Sequence, residues 1–278
     1  MLDAYYLLSL SIIKDNTDYQ IKALEFASKL SENIDLLYSR IIAILENILV
    51  DKSKSVPNWI SENLIEKLLK INDQGDRLKI WDLCYHFKAM KAISKEVLVK
   101  NKSYFIELLS SEYSIRWRAW RFVLPELIGI GIISKEDVMN NKKYFIELLI
   151  SEDKNIRWRM WHMVRELIEI GIISKEDVMN NKKYFIELLS SMYRIRLRAW
   201  DDVCFLIEIG IISKEDVMNN KKYFIELLIS AEADVVIKLE IENVIPKLIE
   251  CGIFDKDVMN NKDNFEYLIE ELMKYKGL

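Results

Sequence analysis

IGIISKEDVMNNKKYFIELL runs from Ile130 to Leu149, and the same residues return unchanged at 170–189 and 209–228. A looser copy, KAISKEVLVKNKSYFIELL, ends at Leu109, and a degraded one, CGIFDKDVMNNKDNFEYLI, begins at Cys251. Phe105, Phe145, Phe185, Phe224 and Phe265 mark the register, at separations of 40, 40, 39 and 41. A period near 40 is the mark of a helical solenoid, in which each unit is a helix pair that buries its apolar face only by stacking on its neighbours.

Each copy reads as a helix pair. Ser174 stands before Lys175, Glu176 and Asp177, so a hydroxyl N-cap and first-turn acids open the first helix. Val178, Phe185, Leu188 and Leu189 share one helical face. The Asn180-Asn181 pair is a weak point, where the helix is expected to break into a short and a longer piece. A second helix then runs through the next IRLRAW-type stretch to the IGI sequence. Gly131, Gly171, Gly210 and Gly252 stand where a left-handed C-cap is needed. Pro125 and Pro246 each fall six residues before such a glycine, and a bend or split of the second helix is expected there.

The stretch ELLISEDKNIRWRMWHMVRELIEIGI at 147–172 resembles the HEAT and armadillo superfamily of α-solenoids. In HEAT units an apolar first helix ends in an acidic turn, and the second helix opens with a β-branched residue and an arginine. Asp153, Ile156 and Arg157 hold those places here, while Trp161 stands where the family has a small residue. The resemblance covers roughly residues 56–278. It implies an all-α fold, an α-solenoid of about five HEAT-like helix-pair repeats between helical caps, and says nothing about function. The organisation expected is one continuous domain: divergent capping helices over 1–55, repeats over 56–260 and a capping helix over 261–278. Thr17-Asp18-Tyr19-Gln20 reads as a capping box in the first of these segments.

Composition agrees. The 278 residues are 51% hydrophobic and 30% charged, with only 7 glycines and 3 prolines. A sheet protein would need more turns. The three cysteines, Cys84, Cys204 and Cys251, are too few and too scattered for a disulfide framework or a zinc cluster. The net charge of -4 gives no bulk attraction for nucleic acid. It is unevenly spread, however: residues 101–199 carry 17 basic and 13 acidic groups, and residues 200–278 carry 9 and 17. That gradient fits either drift between solvated surfaces or a bipolar surface that orients a partner. The N-terminus lacks the cationic start and cleavage site of a secretion signal. No apolar run reaches the length of a membrane span. The expected location is therefore cytoplasmic, with no membrane partner.

Aligning the second helices exposes a ladder: Arg77/Trp81, Arg116/Trp120, Arg157/Trp161 and Arg196/Trp200, broken in the last unit by Val236 and Glu240. On a helical wheel Arg157 and Trp161 lie on a flank of the core face, so inter-repeat packing with the arginine stacked on the ring is expected. Two residues after each arginine the side chain is always basic, as in Arg118, Arg159 and Arg198. Trp117, Trp158, His162 and Arg165 point away from the core, and with Arg121 they make an aromatic and basic patch. Partner binding and burial under a neighbouring helix both account for Trp117 and Trp158.

Sequence signatures of catalysis are missing. The two histidines, His86 and His162, lie in different units, no metal-ligand spacing occurs, and no glycine-rich phosphate loop exists. Cys84 aligns with core Val164 and reads as a small buried residue. No cofactor and no metal are expected. The repeated KEDV and NNKK charges fit a solvated ridge. The function expected is a non-catalytic scaffold that binds a protein or peptide along its second helices. The alternative is nucleic-acid binding, or a DNA glycosylase of the alkylation-repeat type. Those enzymes are also built of HEAT-like units, and Trp117, Trp158, Trp200 and Asp201 superficially suit their DNA-holding roles.

Overall fold

The computed structural model describes residues 41–42, 45, 62–89, 91–230 and 235–254. Among them every regular element is helical and no strand occurs. The capping helices expected over 1–55 and 261–278 lie outside the described residues, except that Ile41, Ile42 and Leu45 are helical and buried. The chain forms two compact units, Met1–Asn141 and Lys142–Leu278.

Unit 1 carries α1 (Glu62–Leu68), α2 (Gln74–Ala89), α3 (Lys95–Asn101), α4 (Ser103–Ile106), α5 (Tyr113–Arg118), α6 (Leu124–Gly129) and α7 (Lys135–Val138). Unit 2 carries α8 (Lys142–Leu149), α9 (Lys154–Ile170), α10 (Lys175–Met179), α11 (Lys182–Ile186), α12 (Tyr193–Glu208), α13 (Lys214–Met218), α14 (Lys221–Ser230) and α15 (Val235–Glu250). In unit 2 the long second helices pack in sequence, α9 on α12 and α12 on α15.

The expected breaks are present. Asn180 and Asn181 separate α10 from α11, and Asn219 and Asn220 separate α13 from α14. The residue in the second place of the pair mends the break: Asn220, and Asn101 in the looser copy where Lys100 precedes it, donate their amides to the carbonyls of Asp216 and Val97. Pro125 also acts as expected. A π-helical turn over Ala119–Val123 divides α5 from α6, and Pro125 sits in the first turn of α6, where its missing N–H costs nothing. At Pro246 the second helix is not split, and α15 continues through it as one helix. The closing glycines do adopt the left-handed conformation, at φ +70, +82, +77 and +74° for Gly131, Gly171, Gly210 and Gly252.

Each helix start is a shared joint. Ser134, Ser174 and Ser213 form reciprocal capping boxes with Asp137, Asp177 and Asp216. The same aspartates accept from a lysine of the preceding copy: Lys102 to Asp137 at 2.6 Å, Lys142 to Asp177 at 2.9 Å, Lys182 to Asp216 at 2.7 Å. Burial works most strongly against ionisation of Asp137, but the Lys102 ammonium and the Ser134 donors outweigh it and hold the carboxyl below its usual value. Asp177 and Asp216 are lowered in the same way. In the looser copy Val97 replaces the aspartate, and the joint is rebuilt: Ser94 N–H donates to Glu62 at 2.7 Å. There Glu66 accepts from Lys70, Lys100 and Asn101, in that order of effect, which brings its pKa down to about 2. The KEDV and NNKK charges are thus more than a solvated ridge, since part of them joins one copy to the next.

Candidate interaction surface

The arginine and tryptophan ladder faces inward. Trp81, Trp120, Trp161 and Trp200 are fully buried. Trp120, Trp161 and Trp200 donate Nε1–H to the carbonyls of Leu109, Leu149 and Leu189 at 3.0–3.2 Å. Those carbonyls belong to the last turn of each first helix, where no backbone donor remains for them. Each of these three indoles therefore fills the core and caps a helix at once. The rings also lean on the register-marking phenylalanines, Trp161 on Phe185 and Trp200 on Phe224, with centroids 5.3 and 5.1 Å apart.

Three of the ladder arginines, Arg77, Arg157 and Arg196, each span two copies. Arg157 Nε donates to Ser151 O at 2.6 Å, inside its own helix pair, and its NH1 reaches Glu187 at 2.7 Å in the next. Arg77 repeats this with Ile71 O and Glu107, and Arg196 with Ser191 O and Glu226. Inter-repeat packing of the ladder is as expected, but the stacking partner is not. The ring beneath the Arg157 guanidinium is Tyr184, at 5.4 Å, rather than Trp161. Lys183 approaches the same tyrosine at 4.8 Å, so two cations share one ring. Trp200, which the glycosylase alternative needs on the surface, is committed to the core.

What remains for a partner is the outward face. In unit 1, Trp117 is half-buried against Phe122, at 5.6 Å, and Arg121 lies over the same Phe122 ring at 5.8 Å. Arg118 is exposed. In unit 2, Trp158 is half-buried, flanked by the His162 ring at 6.0 Å and the Arg159 guanidinium at 5.6 Å. Its Nε1 is shielded from solvent and meets no acceptor among the described residues. The sequence left Trp117 and Trp158 with nothing in their own unit to cover them, yet neighbours on the same helix partly do so.

The surrounding charges bridge helices. His162 on α9 meets Asp202 on α12 at 2.9 Å, and Arg165 lies over Phe205 at 4.1 Å. Both His162 and Arg165 are exposed. Arg198 is exposed and lines a shallow groove between α12 and α15, with Leu197, Asp201, Asn243, Val244 and Lys247. Lys247 closes that groove with an ion pair to Asp201. Sequence reasoning missed Phe122, Asp202, Phe205 and Lys247, because each acquires its role from a neighbouring turn or helix. The patch is cationic and aromatic on α9, and α12 adds acids to it.

A second exposed feature follows the repeat. Val99, Met139, Met179 and Met218 hold equivalent positions in the first helices, and all are exposed.

Reactive chemistry is sparse. No group of acids, cysteines and histidines suited to a metal occurs among the described residues. Cys84 is buried as expected, and burial first, then the Asp82 charge, pushes its thiol well above the usual range. The His86 side chain lies outside the described residues. No described helix is long and apolar enough to cross a membrane. The fold is that of an all-helical repeat-containing protein. Compared with known proteins, the chain matches no family model, no curated protein and no solved structure.

Proposed function

We propose that the chain is an α-solenoid of about five HEAT-like units, a non-catalytic scaffold that binds a protein or peptide along its second helices. The observation that carries this reading is the division of labour on those helices. Arg157, Trp161 and their equivalents are consumed in joining copies, while Trp158, Arg159, His162 and Arg165 stand one step around α9 and contribute little to the core. An aromatic ring set beside two arginines and an exposed histidine is the composition of an interface anchor. A surface built from repeated units suits an extended partner better than a small substrate.

The test is a salt titration of binding to labelled single- and double-stranded DNA and RNA, beside a pull-down for protein partners. The Trp117→Ala, Trp158→Ala double variant is run alongside. A protein partner anchored on the tryptophans gives binding that changes little with salt and is lost in the still-folded variant, at about 2 kcal/mol or more per anchor. Tight binding to nucleic acid that weakens steeply with salt refutes the scaffold reading, since that slope counts neutralised phosphates.

A further inference from the structure

The sequence scatters Cys204 and Cys251, 47 residues apart, but the fold joins them. Cys204 lies in the fourth turn of α12 and Cys251 follows the last turn of α15, with Cα atoms 5.6 Å apart and the sulfurs paired as a disulfide. One bridge is not the disulfide framework that the sequence excluded, but the sequence did not foresee this pair. We propose that this pair is a reversible redox clamp between α12 and α15, closed by thiol–disulfide exchange with a small disulfide such as oxidised glutathione.

Three observations support reversibility. Both cysteines are half-exposed, so a small thiol can reach them. Each sulfur lies near a backbone carbonyl, Cys204 Sγ 3.0 Å from Lys247 O and Cys251 Sγ 3.5 Å from Leu248 O, so both thiols have acceptors when the bond is open. The remaining cysteine, Cys84, is fully buried with a raised thiol pKa and does not compete.

The placement gives the clamp something to act on. Asp201 precedes Cys204 by three residues and Lys247 precedes Cys251 by four, so the ion pair and the sulfur pair occupy the same faces of the two helices. The bridge is a second, covalent rung beside the Asp201–Lys247 rung that closes the groove. Oxidation therefore fixes the groove walls against each other, and reduction leaves the ion pair to hold them.

The exchange balances in two steps. One protein thiolate attacks the small disulfide, forming a mixed disulfide and releasing one thiolate. The second protein thiolate then attacks the protein sulfur of that mixed bond and releases the other. Two protein thiols lose their protons, and both reducing equivalents leave on the small thiol.

The experiment equilibrates the full chain with mixtures of reduced and oxidised glutathione, quenches with acid, denatures and labels free thiols with a maleimide of large mass. The result expected is a shift from three labels to one as the mixture becomes oxidising, with peptide mapping that joins Cys204 to Cys251. Amides of α15 should exchange more slowly in the oxidised form. Cys84→Ser should leave that difference intact, and Cys204→Ser or Cys251→Ser should abolish it. Three labels throughout, a bridge involving Cys84, or equal α15 exchange in both forms would overturn the clamp. A bridge that persists in a large excess of reduced glutathione is a permanent staple and refutes the reversible step.

Discussion

Replacing Trp161 by Phe, and separately Trp81 by Phe, isolates the indole's capping role from its bulk. Both rings are fully buried and both tilt by 53° against a phenylalanine, at 5.3 Å for Trp161 and 5.7 Å for Trp81. The loss of ring volume is therefore similar in the two variants, about 1–3 kcal/mol each for a partly relaxed cavity. Their polar atoms differ. Trp161 Nε1 donates to Leu149 O at 3.0 Å, whereas Trp81 Nε1 is buried with no acceptor among the described residues. Trp161→Phe strands a carbonyl in the last turn of α8, at a cost of about 1–3 kcal/mol. Trp81→Phe strands nothing. Urea unfolding followed by far-UV circular dichroism should rank Trp161→Phe below Trp81→Phe by at least about 1 kcal/mol. Equal losses, or a larger loss for Trp81→Phe, would refute the capping role assigned to the tryptophan ladder.

Other expectations follow from the same geometry. Arg157→Ala removes the donor to buried Ser151 O, the Glu187 contact and the Tyr184 stack, and should cost about 2–3 kcal/mol in a thermal or urea melt, whereas exposed Arg165→Ala should stay within about 0.5 kcal/mol. Gly210→Ala meets open space, so its cost of about 1–2 kcal/mol should come from the left-handed backbone alone. Asp137, Asp177, Asp216 and Glu66 have folded pKa values below their usual ones, so their stabilisation is full above those usual values and is lost as pH falls through the folded ones. Melting temperature should hold near neutrality and decline from about pH 4.5 towards 2, with a shallower decline in Asp177→Asn. If the disulfide closes its 47-residue loop as described, complete reduction should lower stability by about 4 kcal/mol on the chain-entropy account, read as a fall in denaturant midpoint.

The helical breaks, the closing glycines and the Ser-Lys-Glu-Asp starts were legible because each is a local event within a few residues. Ser174, Asp177, Asn181 and Gly171 act on backbone atoms close by in the chain, and repetition made their pattern stand out. The joints between copies were half legible. The wheel placed Arg157 on the correct flank, but a wheel shows one helix and cannot reveal that Glu187 and Tyr184 arrive from the next. Asp177 appeared only as a first-turn acid, although it also receives Lys142. At Pro246 no split occurs, because proline removes one hydrogen bond and leaves the packing on α12 that keeps α15 one helix. The outward patch was the least legible part. Trp158 and Trp117 gain their cover from neighbours one turn away, and Cys204 meets Cys251 through a fold that no local pattern encodes.

The shared joints also make the array editable. Lys142 grips Asp177 as Lys182 grips Asp216, and Arg157 reaches Tyr184 and Glu187 as Arg196 reaches Tyr223 and Glu226. Excising residues 170–208 would bring Ile209 to follow Glu169, present Asp216 to Lys142 and present Glu226 to Arg157, but would remove Asp201, Asp202 and Cys204, the partners of Lys247, His162 and Cys251. Removing or adding a whole copy would keep the lysine–aspartate and arginine–glutamate joints, though not the pairs that link α12 to α9 and α15. The first-helix joints are therefore interchangeable between copies, whereas the rungs between second helices belong to one place in the array.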